Sequence, residues 1–241
     1  MHCIPVLDIA AGDVVRAVRG ERAAYQPLSS CLTQSTAPLG VTAALRAQFA
    51  STIFYVADLD AIQQQGSNHT LIQSLVTTHP DCEWWIDAGF ESPAQIAQWA
   101  QHPNVRCVMG SESLRSVAHY ATLCAALPAS AAGILSLDRK GEERLGPADV
   151  WSTPALWPQS IIAMNLARVG ASEGPDFDYL RILHALAPGA TLIAAGGARH
   201  VQDLECLRTQ GVAAVLLATA LHDGSLSPDH VRGLLRTAGP A

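Results

Sequence analysis

Ile86-Asp87-Ala88-Gly89-Phe90 is echoed 108 residues later by Ala194-Ala195-Gly196-Gly197-Ala198, and the same offset carries Met109-Gly110-Ser111-Glu112 onto Leu217-Ala218-Thr219-Ala220. Each stretch is the end of an apolar run passing into small residues, the signature of a strand entering a turn. Two matches at one offset predict a duplicated half-structure. A third correspondence, at a somewhat different offset, joins Asp8, which follows Ile4-Pro5-Val6-Leu7, to Asp138, which follows Ile134-Leu135-Ser136-Leu137.

Outward from these stretches, short apolar runs alternate with helix-like segments along the whole chain. The runs are Cys3–Leu7, Thr52–Val56, Trp84–Ile86, Arg106–Met109, Gly133–Leu137, Ile161–Met164, Thr191–Ala194 and Ala214–Leu217, and the intervening segments include Val41–Phe49, Ala94–Trp99, Ser116–Ala126, Tyr179–Leu186 and Val201–Thr209. Eight strands with helices between them predict an α/β fold, a (β/α)8 TIM barrel built from two half-barrel repeats. It is expected to form one domain, 1–241, with halves of approximately 1–120 and 121–241. An open doubly wound sheet is the alternative, but Asp8-Ile9-Ala10-Ala11-Gly12 supplies no G-x-G-x-x-G loop after the first strand. Gln26 to Gly40, the richest Pro/Gly/Ser stretch, is expected to be a mobile active-site loop.

The 241 residues are 49% hydrophobic and 15% charged, which suits a globular core and excludes a disordered chain. With 15 basic and 21 acidic residues the formal charge is −6, so nucleic acid is a poor partner. The longest strongly apolar stretch, Ala213 to Leu221, is about half a membrane span, and Met1-His2-Cys3-Ile4-Pro5 has no signal-like pattern, so a cytoplasmic location without membrane attachment is expected. The six cysteines contain no C-x-x-C pair and read as reduced core or loop residues. Nine scattered histidines give no zinc spacing, so no metal is expected.

Side chains just beyond the C-terminal ends of barrel strands converge on one mouth, so Asp8 and Asp138 should face each other there, from strands one and five. Paired carboxylates suit proton transfer: one, ionised, takes a proton while the other, kept protonated by its neighbour's charge, gives one. The competing structural use is capping of the following turn. Gly196 and Gly197 let backbone approach an anion, and Ala218 with Thr219 adds amides and a hydroxyl at a helix start, so phosphate binding is expected there. The corresponding place in the first half, a second substrate-end site, would be Asp87, Gly89, Gly110 and Ser111. Asp87 and Glu91 oppose a phosphate there unless Arg106 or Arg115 compensates. Asp58 and Asp60 are expected to secure the second turn, with one of them in reach of the mouth. One of Trp84 and Trp85 should point inside the barrel and the other beneath a helix, while Trp151 and Trp157 either stack on a substrate or cover the rim.

These residues resemble the phosphoribosylformimino-aminoimidazole carboxamide ribonucleotide isomerases of histidine biosynthesis and their cyclase relatives. The resemblance rests on Ile4-Pro5-Val6-Leu7-Asp8 with Gly12-Asp13-Val14-Val15-Arg16, Val56-Ala57-Asp58-Leu59-Asp60-Ala61, Ser136-Leu137-Asp138, Ala195-Gly196-Gly197-Ala198-Arg199 and Leu217-Ala218-Thr219-Ala220-Leu221, in order along the chain. It implies a duplicated barrel, a substrate with a phosphate at each end, and an Amadori-type conversion of an aminoaldose to an aminoketose by an acid and a base, with no metal and no cofactor. Asp8 and Asp138 fall on the family's paired aspartates, and Gly196, Gly197 and Thr219 on its second phosphate site.

The chain departs from that pattern where the isomerases carry a threonine and then an aspartate and glycine after strand six: here stands Met164-Asn165-Leu166-Ala167-Arg168-Val169-Gly170. At strand three the glycine run and arginine become Asp87-Ala88-Gly89-Phe90-Glu91. Together these changes argue against the standard histidine-pathway reaction, and the combination is similar to the divergent isomerase-related proteins that accompany tetrahydromethanopterin-linked one-carbon metabolism. The leading expectation is an isomerase-type acid/base enzyme acting on a small phosphorylated metabolite. The rival is a non-catalytic barrel in one-carbon metabolism that binds a phosphorylated metabolite or a protein partner.

Overall fold

Eight strands, β1 (His2–Ala10), β2 (Ile53–Asp58), β3 (Glu83–Asp87), β4 (Val105–Gly110), β5 (Ile134–Lys140), β6 (Ser160–Asn165), β7 (Thr191–Ala195) and β8 (Ala214–Leu217), each pair in parallel with the next in sequence. β8 returns to β1 with His2 opposite Ala214 and Pro5 opposite Leu217, so the sheet closes into a TIM barrel. The molecule is a computed structural model that describes residues 1–128, 131–171 and 173–231. The last ten residues of the expected second half, 232–241, lie outside the described residues.

Helices α1 (Pro38–Phe49), α2 (His69–Thr78), α3 (Pro93–Ala100), α4 (Val117–Cys124), α5 (Ala148–Trp151), α6 (Phe177–Leu186) and α7 (Val201–Thr209) connect successive strands. Local chemistry starts several of them. Ser92 and Gln95 form a capping box ahead of α3 with Pro93 in its first turn, Ser116 accepts from the His119 amide at α4, and Asp176 accepts from the Tyr179 amide at α6.

The strands' period of two separates two cores. Ile4, Tyr55, Trp85, Val108, Ile134, Ile162, Ile193 and Leu216 point along the barrel axis and pack on one another. Leu7, Phe54, Trp84, Met109, Leu137, Ile161 and Leu192, one residue out of phase, pack under the helices. The two adjacent tryptophans therefore divide between the layers, and Trp84 stacks on Phe54 with ring centroids 5.0 Å apart.

The same parity sorts the aspartates. Asp8, Asp87 and Asp138 continue the inward rows of Val6, Trp85 and Ser136. Asp58 continues the outward row of Phe54 and Val56. It is 1% exposed and ties its strand to the loop ahead of α2, accepting from the Asn68 amide at 2.8 Å, Asn68 Nδ2 at 2.8 Å and the Ala61 amide at 3.2 Å. Asp60 accepts from the Ala11 amide and from Asn68 Nδ2, so both aspartates secure turns and neither serves the mouth.

The long first connection differs from expectation. Gln26–Pro27 pairs with Val15–Arg16 as part of a small antiparallel extension of β1, and Leu28 N–H donates to Val14 O at 3.0 Å. The segment that reaches the mouth is the earlier one, Ala17 to Tyr25. It is docked on the connection after β6: Arg19 N–H donates to Val169 O at 2.7 Å, and a Cβ on Gly170 (φ +65°) would stand 2.3 Å from Ala17 O.

Asp58→Ala would strand several buried donors, each worth about 1–3 kcal/mol when left unsatisfied. The expected outcome is a loss of about 3 kcal/mol, seen as a Tm lower by roughly 6–12 °C. Asp58→Asn, which keeps one acceptor oxygen, should lose less. Equal melting of wild type and Asp58→Ala would mean that this network does not hold β2 to its loop.

Candidate active site

The cavity at the C-terminal ends of the strands has two unlike ends. Asp8 from β1, Asp87 from β3 and Asp138 from β5 line one of them, joined by Tyr55 from β2, Glu112 after β4, and Arg22 and Tyr25 from the first connection. Alternate strands of a barrel contribute one layer of side chains, which is why β1, β3 and β5 deliver their carboxylates to the same level. The fourth alternate strand, β7, contributes Ala195, followed by Gly196 and Gly197.

Asp138 is 4% exposed and held from three sides: Ser136 Oγ donates to Oδ1 at 2.6 Å, while Ser111 Oγ and the Glu112 amide each donate to Oδ2 at 3.2 Å. Its own amide donates to Ser111 Oγ at 2.8 Å. Asp87, 7% exposed, accepts from the Tyr55 hydroxyl at 3.1 Å and from the Gly89 amide at 3.2 Å. Asp8 is half-buried and lines the cavity, and among the described residues its carboxyl accepts no hydrogen bond.

Burial is the main cause that lifts all three carboxyls above the ordinary range. Asp8 is pushed up to about 7 by desolvation and then by the charge of Asp87, with Arg22 opposing. Asp87 is likewise raised to about 7, by desolvation and by Glu112, against the hydrogen bonds from Gly89 and Tyr55 and the charge of Arg22. Asp138 is raised well above the carboxylate range, by desolvation first and then by Glu112, with Asp87 adding to it. Arg22, whose guanidinium donates to Glu112 Oε1 at 2.6 Å, is the cation that lines this end among the described residues. With so little positive charge, the cluster holds protons at neutral pH that separate aspartates would have lost.

The opposite end is built from backbone. Gly196 and Gly197 have φ of +95° and +90°, and a Cβ on them would lie 2.7 Å from Asn165 O and 2.2 Å from Gly174 O, so only glycine fits either place. Ala218 and Thr219 start the turn after β8 on the same rim, with Thr219 as its first helical residue. Arg199 also lines this rim, paired with Asp203 at 2.9 Å. Met164 and Val169, in place of the polar residues expected from the isomerase pattern, supply apolar wall between the two ends.

The four residues expected to form a second substrate-end site are not gathered into one cradle. Asp87 lines the cavity, whereas Gly89 opens on a separate surface cleft with Glu91 and Gln64. Gly110 sits against Asp87 and Asp138, and Ser111, fully buried, spends its hydroxyl on Asp138. Neither arginine named as a compensating charge reaches this place: Arg106 binds Ser160 Oγ and Ala132 O, and Arg115 pairs with Glu91 at the surface. Trp151 and Trp157 are tied by their ring N–H groups to Leu145 O and Val150 O, outside the cavity.

Sequence reasoning missed Arg22, Tyr25, Tyr55 and Glu112. Tyr55 was available from parity, since it lies two residues from Ala57 on an inward row. Arg22 and Tyr25 were not, because a loop's path carries no periodicity.

The family described as Histidine biosynthesis protein matches residues 2–227. An uncharacterized protein of Methanocaldococcus jannaschii is 26% identical over 234 residues, covering 96% of this chain and 97% of its own. A phosphoribosyl imidazole-4-carboxamide isomerase of Xylella fastidiosa is 26% identical over 238 residues, covering 92% of this chain and 86% of its own. Among solved structures, 3-hexulose-6-phosphate synthase from Salmonella typhimurium shares the barrel, with a TM-score of 0.69 at 12% identity over 99% of this chain and 100% of that one. A closed barrel of eight parallel strands, matched by the family over nearly the whole of its length, places this chain in the histidine biosynthesis protein family.

Proposed function

We propose that the protein is an isomerase-type enzyme that moves protons within a small metabolite carrying one phosphate. The observation that carries this reading is the pairing, in one cavity, of carboxyls held near neutrality with a glycine-backed rim at the other end. Asp8, open to the cavity, takes a proton from a substrate carbon; Asp138, fixed by three donors and kept protonated by Glu112 and Asp87, gives one to a substrate oxygen or nitrogen. The intermediate then accepts the first proton at the neighbouring carbon and returns the second, so no proton is lost and no oxidant is required. The names of the isomerase relatives carry phosphoribosyl groups, which supports a phosphorylated substrate. The acidic end disfavours a second phosphate, so the far end of the metabolite is neutral or cationic.

Three outcomes test this. Asp8→Asn and Asp138→Asn should each lower turnover of a cognate sugar-phosphate substrate by about 100-fold or more while phosphate binding persists. Variants that bind every ligand and turn over substrate as fast as wild type would mean that the two carboxyls do not carry the reaction, and a wild type with no turnover of any sugar phosphate would move the reading to a non-catalytic metabolite-binding barrel. In crystals grown with phosphate, one ion is expected at Gly197 and Thr219 and none at Gly89 and Ser111; two equally occupied sites would restore a bisphosphate substrate. A strain lacking the histidine-pathway isomerase should grow weakly or not at all when given this chain, and robust growth would show that Met164, Val169 and Glu91 do not alter the reaction.

The raised carboxyls also set a pH dependence of stability. Asp8 keeps a proton in the folded protein up to about 7 but ionises near 3.8 when unfolded, so folded protein binds the extra proton between these values and its stability falls as pH rises through them. Asp8→Asn removes that penalty, and its Tm advantage over wild type should therefore grow from pH 4 to pH 8. An advantage independent of pH would mean that the cavity does not desolvate Asp8.

A further inference from the structure

Asp87 has no place in the two-aspartate scheme, yet it lies between its members. It comes from β3, the alternate strand between β1 and β5, and its charge acts on both Asp8 and Asp138, while neither of those two counts the other among its main influences. The contact with Asp138 is shaped by Gly110. A Cβ built there would stand 3.3 Å from Asp87 Oδ2 and 3.3 Å from Asp138 Oδ2, so both oxygens border the same small space beside Gly110 and lie at most twice that distance apart, a limit within which one water can bridge them by two hydrogen bonds. The backbone at Gly110 (φ −74°, ψ 130°) is open to any residue, so its conformation does not require glycine; what a side chain would change is the gap between the carboxyls.

The groups around Asp87 are Asp8 on β1, Tyr55 on β2, Glu112 after β4, Asp138 on β5, and Arg22 with Tyr25 on the first connection. Tyr55 donates to Oδ2 and the Gly89 amide to Oδ1, which fixes the carboxyl with Oδ2 toward the Gly110 gap. Arg22 is engaged by Glu112.

We propose that Asp87 is a third proton-carrying carboxyl of this site, sharing one proton with Asp138 across the gap at Gly110. In each exchange the O–H bond on one carboxyl breaks as one forms on the other, through a water that takes one proton and gives up another, and no other group changes state. Asp87 acts through Asp138: it holds that residue in the protonated form from which the proposed proton donation starts and restores it afterwards. This assignment rests on the isomerase reading, but its test does not use turnover.

The test is a carbon-13 titration of the aspartate carboxyls in the full-length protein, with side-chain assignments from Asp→Asn variants. In wild type, Asp87 and Asp138 should titrate together in two steps that both carboxyls report. In Asp87→Asn, Asp138 should titrate in a single step about one pH unit or more lower. Gly110→Ala keeps both carboxyls but sets a methyl 3.3 Å from each Oδ2, in the space the bridging water needs, and should weaken the shared two-step titration. Tyr55→Phe removes a donor from Asp87 without removing the charge, so it should raise the Asp87 midpoint and leave the two-step form of Asp138 intact, which loosened packing would not do. An Asp138 curve that is single-step in wild type and unchanged in Asp87→Asn would overturn the assignment. Failure of Asp8→Asn to affect turnover would instead strike the isomerase reading and leave this titration result standing.

Discussion

Inward-facing side chains of a closed eight-stranded sheet share one narrow axis, and whatever ionises there does so largely without water. Three aspartates occupy the same end of that axis, and full ionisation of all three beside Glu112 would leave several negative charges facing one guanidinium. The arrangement is stable only if protons remain on it. Proton retention at neutral pH is therefore a consequence of strand parity and closure, and the chemistry available to the cavity follows from it. The hydrogen bonds to Asp138 position that carboxyl; they do not bring in the positive charge that would release its proton.

The connections show how departures from the isomerase pattern fit this chain. After β6, Val169 presents its side chain to the cavity and its carbonyl to the Arg19 amide, and Gly170 admits Ala17 O at a distance no Cβ would tolerate. The segment thus seats the first connection, which in turn carries Arg22 and Tyr25 over the acidic end. Asn165, adjacent to the inward Met164, points out of the barrel and donates to Asp176, where Arg139 also binds and stacks on the Tyr179 ring 4.2 Å away. These polar groups have become part of the outer framework, and the wall between the two ends of the cavity is apolar as a result.

Much of this was legible in the residues because two periodicities were. The alternation around Ile4–Asp8 and Ile134–Asp138 fixes both aspartates as inward, and the offset joining Gly89 to Gly197 reveals the duplication. Parity also settles Asp58 against Val56 as outward, a step that needed no coordinates. What stayed hidden depends on contacts distant in sequence. Arg22 meets Glu112 across 90 positions, and Ser111 meets Asp138 across 27. The extent of the first connection was misplaced because Pro and Gly mark where a chain turns, and the segment that enters the mouth, Ala17 to Tyr25, is selected by its docking on Val169 and Gly170.

The offset of 108 residues sets the two ends of the cavity side by side and shows where they differ. Position 87 in the first half corresponds to Ala195 in the second, and Ser111-Glu112 corresponds to Thr219-Ala220. In the first half the Ser111 hydroxyl and the Glu112 amide both donate to an internal carboxyl, that of Asp138. In the second half, among the described residues, no side-chain carboxyl accepts from Thr219 or Ala220, and both line the cavity. The same strand-to-helix turn thus faces an internal carboxylate on one side and the cavity on the other. A phosphate seated at Gly197 and Thr219 would accept from the second turn as the Asp138 carboxyl accepts from the first.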